Sequence, residues 1–124
     1  MRLLLDTHAA LWFLGDDERL SERVHAHLAD ESNEVLLSAA VVWEVAIKRS
    51  LGKLSVPDEY LDLLLSAGVE ALAVTHQHAA RVEHLPWHHR DPFDRMLIAQ
   101  AAIEGAALVS GDEALRPYGV PLVW

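Results

Sequence analysis

The stretch Leu3-Leu4-Leu5-Asp6-Thr7-His8-Ala9-Ala10-Leu11-Trp12 decides how the rest of the chain is read. A short leucine run bounded by an acid reads as a strand buried on both faces, the pattern of a parallel sheet. Thr7 can cap a helix that runs through Ala9, Leu11 and Trp12 to Gly15. The same alternation continues outward. Val35 to Leu37, Val69 to Val74, Ala106 to Val109 and Pro121 to Trp124 read as further strands. Between them, helices open at Ser21, Ser38, Thr75 and Asp91-Pro92, and Pro57 sits in the first turn of another. Gly52, Gly68 and Gly105 mark helix ends. The expected fold is α/β: three layers, with helices on both faces of a central, mostly parallel sheet of four or five strands. No repeat or linker interrupts it, so residues 1–124 are expected to form a single domain.

Composition narrows the chemistry. Hydrophobic residues make up 52 % and charged residues 23 %, which is ordinary for a globular domain and excludes a disordered chain. With no cysteine, disulfides, thiolate zinc sites and thiol catalysis are excluded. The net charge of −9 argues against non-specific nucleic-acid binding through a general positive field. It leaves open a nuclease whose acids hold metal ions. The apolar start stops at Asp6, too soon for a signal peptide, and no apolar run reaches the ~18 residues of a membrane span. A cytoplasmic protein without membrane association is expected.

The placement of four carboxylates is the informative feature. Asp6 lies at the C-terminal end of the first strand, where open parallel sheets bind ligands; capping the next helix is its plainer role. Glu44 stands in Ala39-Ala40-Val41-Val42-Trp43-Glu44-Val45-Ala46-Ile47, a helix apolar nearly all round. An ionised carboxylate there costs several kcal/mol unless a partner or a metal compensates it. Asp91 before Pro92 reads as an N-cap, and Asp94 three residues later fits a capping box. Asp94 also shares a face with Leu97, Ile98 and Ala101, which directs it inward. Asp112 follows the Ala106–Val109 strand after Ser110-Gly111, otherwise an ordinary turn. Converging acids repel by about 3 kcal/mol per pair at ~5 Å and a dielectric near 20. Oxygen ligands favour Mg²⁺ or Mn²⁺, ions suited to phosphodiester hydrolysis. By the same reasoning, Glu44→Gln is expected to retain or raise stability without metal.

Leu4-Leu5-Asp6-Thr7-His8, Val42-Trp43-Glu44, Asp91-Pro92-Phe93-Asp94-Arg95-Met96-Leu97-Ile98-Ala99-Gln100-Ala101 and Leu108-Val109-Ser110-Gly111-Asp112 stand in the order found in PIN-domain ribonucleases. The chain resembles in particular the VapC-like toxins of bacterial toxin–antitoxin pairs, over nearly its whole length. The resemblance implies a PIN-like fold and an endoribonuclease in which Asp6, Glu44, Asp94 and Asp112 hold one or two Mg²⁺ or Mn²⁺ ions. Water would attack an RNA phosphodiester, leaving a 5′-phosphate and a 3′-hydroxyl. Thr7 and Ser110 would hydrogen-bond a carboxylate or phosphate, Asp91 would be an accessory acid, and Arg95 would contact phosphate, with a surface salt bridge as its plainer role. The resemblance also implies a cognate antitoxin and a homodimer. His8 departs from the asparagine common in the family, and Ser110-Gly111 from the usual threonine before the last acid.

Other features carry less. The paired histidines are spaced so that a helix would point them apart, and no His-Glu-x-x-His motif occurs. His88, His89 and Arg90 read as RNA contacts or as solvated loop. Lys48, Arg49 and Lys53 suit either a helix C-terminus or a phosphate. A receiver-like signalling domain would need an acidic pair after the first strand and a lysine after the last, yet the only lysines are Lys48 and Lys53. Within the resemblance, an RNA-processing nuclease or a non-cutting RNA-binding module is the alternative to a toxin.

Overall fold

The computed structural model describes residues 1–124. Its strands are β1 (Arg2–Leu5), β2 (Glu34–Ser38), β3 (Glu70–Leu72), β4 (Ala107–Val109) and β5 (Leu122–Val123). They form one sheet in the order β3-β2-β1-β4-β5, and every pairing is parallel. The expected four or five strands are therefore five, and mostly parallel becomes entirely parallel. The helices are α1 (Thr7–Leu14), α2 (Glu22–Ala29), α3 (Ala39–Ser50), α4 (Tyr60–Ser66), α5 (His76–Arg81) and α6 (Pro92–Glu104). Short 3₁₀ turns cover Val82–His84 and Glu113–Tyr118. No helix is long and apolar enough to cross a membrane.

Leu3, Leu4 and Leu5 on β1 are fully buried. Because successive strand side chains point to opposite faces, burial of all three means that helices cover both sides of the sheet. Each such leucine contributes about 1.5–3 kcal/mol of hydrophobic stabilisation. The chain builds outward from β1 through β2 to β3, then returns by way of α5 and α6 to lay β4 and β5 on the other side. The direction of winding thus reverses at β1 and β4, which opens a crevice beyond their carboxyl ends. Asp6 is drawn to its edge by its own amide, which donates to the Val109 carbonyl at 3.1 Å.

Three local expectations need correction. Asp6 caps α1 instead of Thr7, its carboxylate accepting from the Ala9 amide at 2.7 Å. Thr7 becomes the first helical residue, which leaves its hydroxyl free for another partner. Pro57 lies outside α4, because its carbonyl accepts from the Tyr60 amide in a preceding turn and the helix starts at Tyr60. Beyond β4, Asp112 caps a 3₁₀ turn that its Ser-Gly-Asp setting did not announce. Gly105, expected to stop α6, does so at φ 64°, a left-handed conformation that glycine adopts without a Cβ clash.

Candidate functional site

Asp6 forms the floor of the crevice. It is 8 % exposed, and burial raises its pKa above the ordinary carboxylate range. The Ser110 side chain and the Ala9 amide act against that rise, whereas the negative charge of Glu44 adds to it.

Glu44 enters from α3. Its position on an apolar helix buries it, and the cost is offset by two neighbours. Thr7 Oγ1 donates to Oε1 at 2.6 Å, and Lys48 Nζ donates to Oε2 at 2.6 Å from one turn further along the helix. Lys48, read earlier as a helix-end or phosphate cation, is in fact the partner of Glu44. Its ammonium also feels Asp91 and Asp94, and this negative surround raises its pKa, with the Glu44 hydrogen bond the largest cause.

The N-terminus of α6 closes the opposite side. Asp91 caps it as expected, one carboxylate oxygen accepting from the amides of Phe93 and Asp94 at 2.9 and 3.0 Å. The reciprocal half of a capping box is not made: the Asp91 amide donates instead to His89 Nδ1 at 3.0 Å. The Asp94 carboxylate is therefore left to face the crevice, while Leu97, Ile98 and Ala101 on the same stripe are buried as expected. Its pKa is pushed up to about 7, chiefly by burial and then by the charge of Asp91, with Asp6 and Glu44 adding to the effect. His89 opposes the shift.

His89 is the functional-site residue that sequence reasoning left undecided. Accepting the Asp91 amide at Nδ1 puts the ring proton on Nε2. That nitrogen lies 3.6 Å from Asp94 Oδ2 and 3.4 Å from Asp112 Oδ2. One ligand atom from each of His89, Asp94 and Asp112 lies within 4.8 Å of the others. The only sequence signal was adjacency to Asp91-Pro92; the contact with Asp112 joins segments far apart in the chain.

Arg95 requires a correction. It is 2 % exposed and cannot present its guanidinium to a phosphate, nor does it form a surface salt bridge. It donates to the carbonyls of Pro86, Val82 and Leu85 and to the Tyr118 hydroxyl, at 2.8–3.3 Å. Trp87 lies over it, 3.8 Å from guanidinium carbon to ring centroid. Arg95 thus ties down the loop that carries His89. The Ser110 hydroxyl accepts from the Asp112 amide at 3.1 Å, and the Ser110 side chain acts to lower the pKa of Asp6. Arg49 pairs with Asp58, away from these acids.

Asp6, Glu44, Asp91, Asp94 and Asp112 thus surround one crevice whose charge is incompletely matched by Lys48. The charges of Asp91, Asp6 and Glu44 add to the burial that already raises the pKa of Asp94. A divalent cation fits such a place, because its charge would offset both the burial and the repulsion that favour the protonated form of Asp94. The donors are carboxylate oxygens, compatible with Mg²⁺ or Mn²⁺, while His89 keeps its Nε2–H for a hydrogen bond.

The family model described as PIN domain matches residues 3–120. The chain belongs to the PIN-domain family. This PIN domain is 32 % identical over 123 residues to a Mycobacterium tuberculosis protein named Ribonuclease VapC22, covering 96 % of this chain and 93 % of that one. It is 42 % identical over 59 residues to Ribonuclease VapC16 of the same organism, across 44 % of this chain and 42 % of that one. In three dimensions the PIN domain resembles the VapBC2 structure from Rickettsia felis bound to a promoter DNA fragment. That likeness has a TM-score of 0.73 at 14 % identity, covering 99 % of this chain and 98 % of that one. DNA-bound VapBC from Salmonella typhimurium gives a TM-score of 0.70 at 16 % identity, covering 99 % and 97 %. At these identities the structural likeness concerns the fold.

Proposed function

We propose that this PIN domain is a metal-dependent endoribonuclease and the toxin of a toxin–antitoxin pair, acting in the cytoplasm as a single catalytic domain. The observation that carries the reading is the Asp94 carboxylate, held among Asp6, Glu44 and Asp91 at the reversal point of a parallel sheet and faced by the His89 ring at 3.6 Å. Homology to Ribonuclease VapC22 over nearly the full chain supports the reaction class. The VapBC complexes among the structural relatives support a cognate antitoxin as partner. A homodimer completes the proposal.

Asp6, Asp94 and Asp112 would hold Mg²⁺ or Mn²⁺, with Glu44 completing the acidic set. A bound ion would neutralise these acids and stabilise the negative charge that develops at an attacked phosphodiester. The residues divide the remaining work. Thr7 and Lys48 hold Glu44 in place. Asp91 orients the first turn of α6 and, through its amide, the His89 ring. His89 presents Nε2–H between Asp94 and Asp112, where it can donate to a phosphate or leaving oxygen. Ser110 positions the Asp112 segment.

The test is incubation of the purified protein, freed of any antitoxin, with total bacterial RNA and Mn²⁺ or Mg²⁺. A chelator control and Asp94→Asn run in parallel. Discrete fragments that require the metal and Asp94 are expected. RNA binding without cleavage would replace this reading with a non-cutting role, and cleavage that survives both controls would refute the metal mechanism. Gel filtration with light scattering measures the dimer.

A further inference from the structure

Asp6 and Asp112 also border a cavity of about 520 Å³ whose aromatic side the proposed chemistry does not use. Its floor includes Asp6 and Asp112; its walls are His8, Trp12, Arg19 and Trp124. The aromatic wall is held from several directions. The His8 ring stacks on Trp12 with centroids 5.3 Å apart and planes 14° apart, and Trp124 meets Trp12 at 5.7 Å, tilted by 57°. The Arg19 guanidinium lies 4.7 Å from the Trp12 ring centroid and is itself anchored to Asp17, at 2.7 Å for the closer contact. Trp124 is set by the ladder residue before it, since the Ser110 amide donates to the Val123 carbonyl at 3.2 Å. Its indole also occupies space that only a glycine at position 111 leaves: a Cβ there would come within 2.9 Å of Trp124. His8 and Gly111 therefore both border this cavity.

We propose that the cavity is a nucleobase subsite, in which an unpaired base immediately flanking the scissile phosphodiester stacks against the Trp12–Trp124 wall. The proposal rests on the ribonuclease reading above. The size suits one nucleotide, and planar aromatic walls suit a base freed from pairing, which is how proteins commonly engage single-stranded RNA. Continuity with Asp6 and Asp112 fixes which base it is, because an occupant of this cavity has its sugar-phosphate at the acids. Stacking is tolerant of base identity, so the subsite supplies position more than sequence selection. His8 is exposed and forms the outer lip; Trp12 and Trp124 are half-buried and form the inner wall.

The test is a coupling experiment on cleavage by the complete protein. Single-stranded RNA bearing one mapped cut site is prepared intact and with an abasic ribose at each position flanking the cut. With wild type, one flanking position is expected to lower kcat/KM by about ten-fold, mainly through KM, a loss typical of a removed base stack. Trp124→Ala should lose the same factor on intact RNA and nothing more on the abasic strand, while Trp124→Phe retains most of the affinity. His8→Ala, at the exposed lip, gives a second coupled variant should Trp124→Ala fold poorly. Equal abasic losses in wild type and variants, or no position-specific loss in wild type, would overturn the subsite and leave the cavity to a protein partner. If wild type cuts RNA but shows no coupling, the subsite alone falls; if it cuts none, the ribonuclease reading falls with it.

Discussion

Glu44 on α3 and Asp94 on α6 reach the same crevice from helices rich in apolar residues, and their surroundings treat them in opposite ways. Glu44 has a cation one helical turn away and a hydroxyl from α1, each at 2.6 Å. Asp94 has no such partner, and its pKa is pushed up to about 7. The nearest cation in sequence, Arg95, points away from it and is consumed by loop carbonyls. One side of the site is therefore complete as folded, while the other, on the proposed reading, would be completed by a bound ion. Structural and functional burial of an acid differ here in whether the protein supplies the counter-charge.

Breaking the uncompensated side should have the largest consequence. Asp94→Asn keeps the shape but removes a ligand charge, and is expected to lower RNA-cleavage kcat/KM by roughly a hundred- to a thousand-fold, the scale set by losing one transition-state charge contact. Steady-state cleavage in saturating Mn²⁺ measures it. Were Glu44→Gln to abolish cleavage and Asp94→Asn to spare it, the comparison would be reversed.

Arg95 sharpens the contrast from the structural side. Replacing it with methionine leaves the carbonyls of Val82, Leu85 and Pro86 without their donor and should cost about 3 kcal/mol of stability. Urea denaturation of the metal-free protein reads this loss. A stable variant that merely binds RNA less well would instead make Arg95 a phosphate contact.

The pH dependence comes next. An unfolded aspartate titrates near 3.9, whereas folded Asp94 titrates at about 7. Between these values the folded state binds the extra proton, so metal-free stability falls as pH rises from about 4 to about 7 and stays reduced above it. The full shift corresponds to about 4 kcal/mol, which solvent screening of this part-exposed carboxylate reduces to on the order of 2 kcal/mol, and the effect should disappear in Asp94→Asn. Denaturation midpoints of both proteins across this range isolate it from the surface acids. Divalent metal at about a hundred times its Kd should restore ~2.7 kcal/mol at pH 8.

The smallest effects belong to the compensated side. Lys48→Met should cost about 1 kcal/mol, since the lysine is 43 % exposed and water screens the pair. Adding Glu44→Gln to that variant should recover most of the loss, and a double-mutant cycle gives the coupling. Glu44→Gln alone should then change metal-free stability little. The sequence-based expectation that it could raise stability assumed repulsion alone, and the lysine–threonine pair already offsets part of that repulsion.

These contrasts show where sequence reading succeeded. The leucine run of β1, the apolar setting of Glu44 and the inward stripe of Asp94 are local signals, written in the spacing of neighbours. Helix starts at Ser21, Ser38 and Asp91 were equally legible, because a cap is made within a few residues. Pro57 misled because proline suits a turn before a helix as well as its first turn. Arg95 misled for a different reason: nothing near it in sequence announces the loop carbonyls it serves. His89 was hidden likewise, as its partners Asp94 and Asp112 come together only when α6 and the segment after β4 pack side by side.

The sequence by itself determined that alternating short apolar runs and capped helices would make a covered parallel sheet, and that four acids would stand at its strand ends and helix faces. Periodicity and capping are properties of a few consecutive residues, so a one-dimensional reading contains them. Only the tertiary structure decided which carboxylate obtains a counter-charge, that His89 joins the acids, and that Trp124 closes a cavity over Gly111. Those outcomes depend on distances between segments up to a whole chain apart, and electrostatic and packing energies act through space.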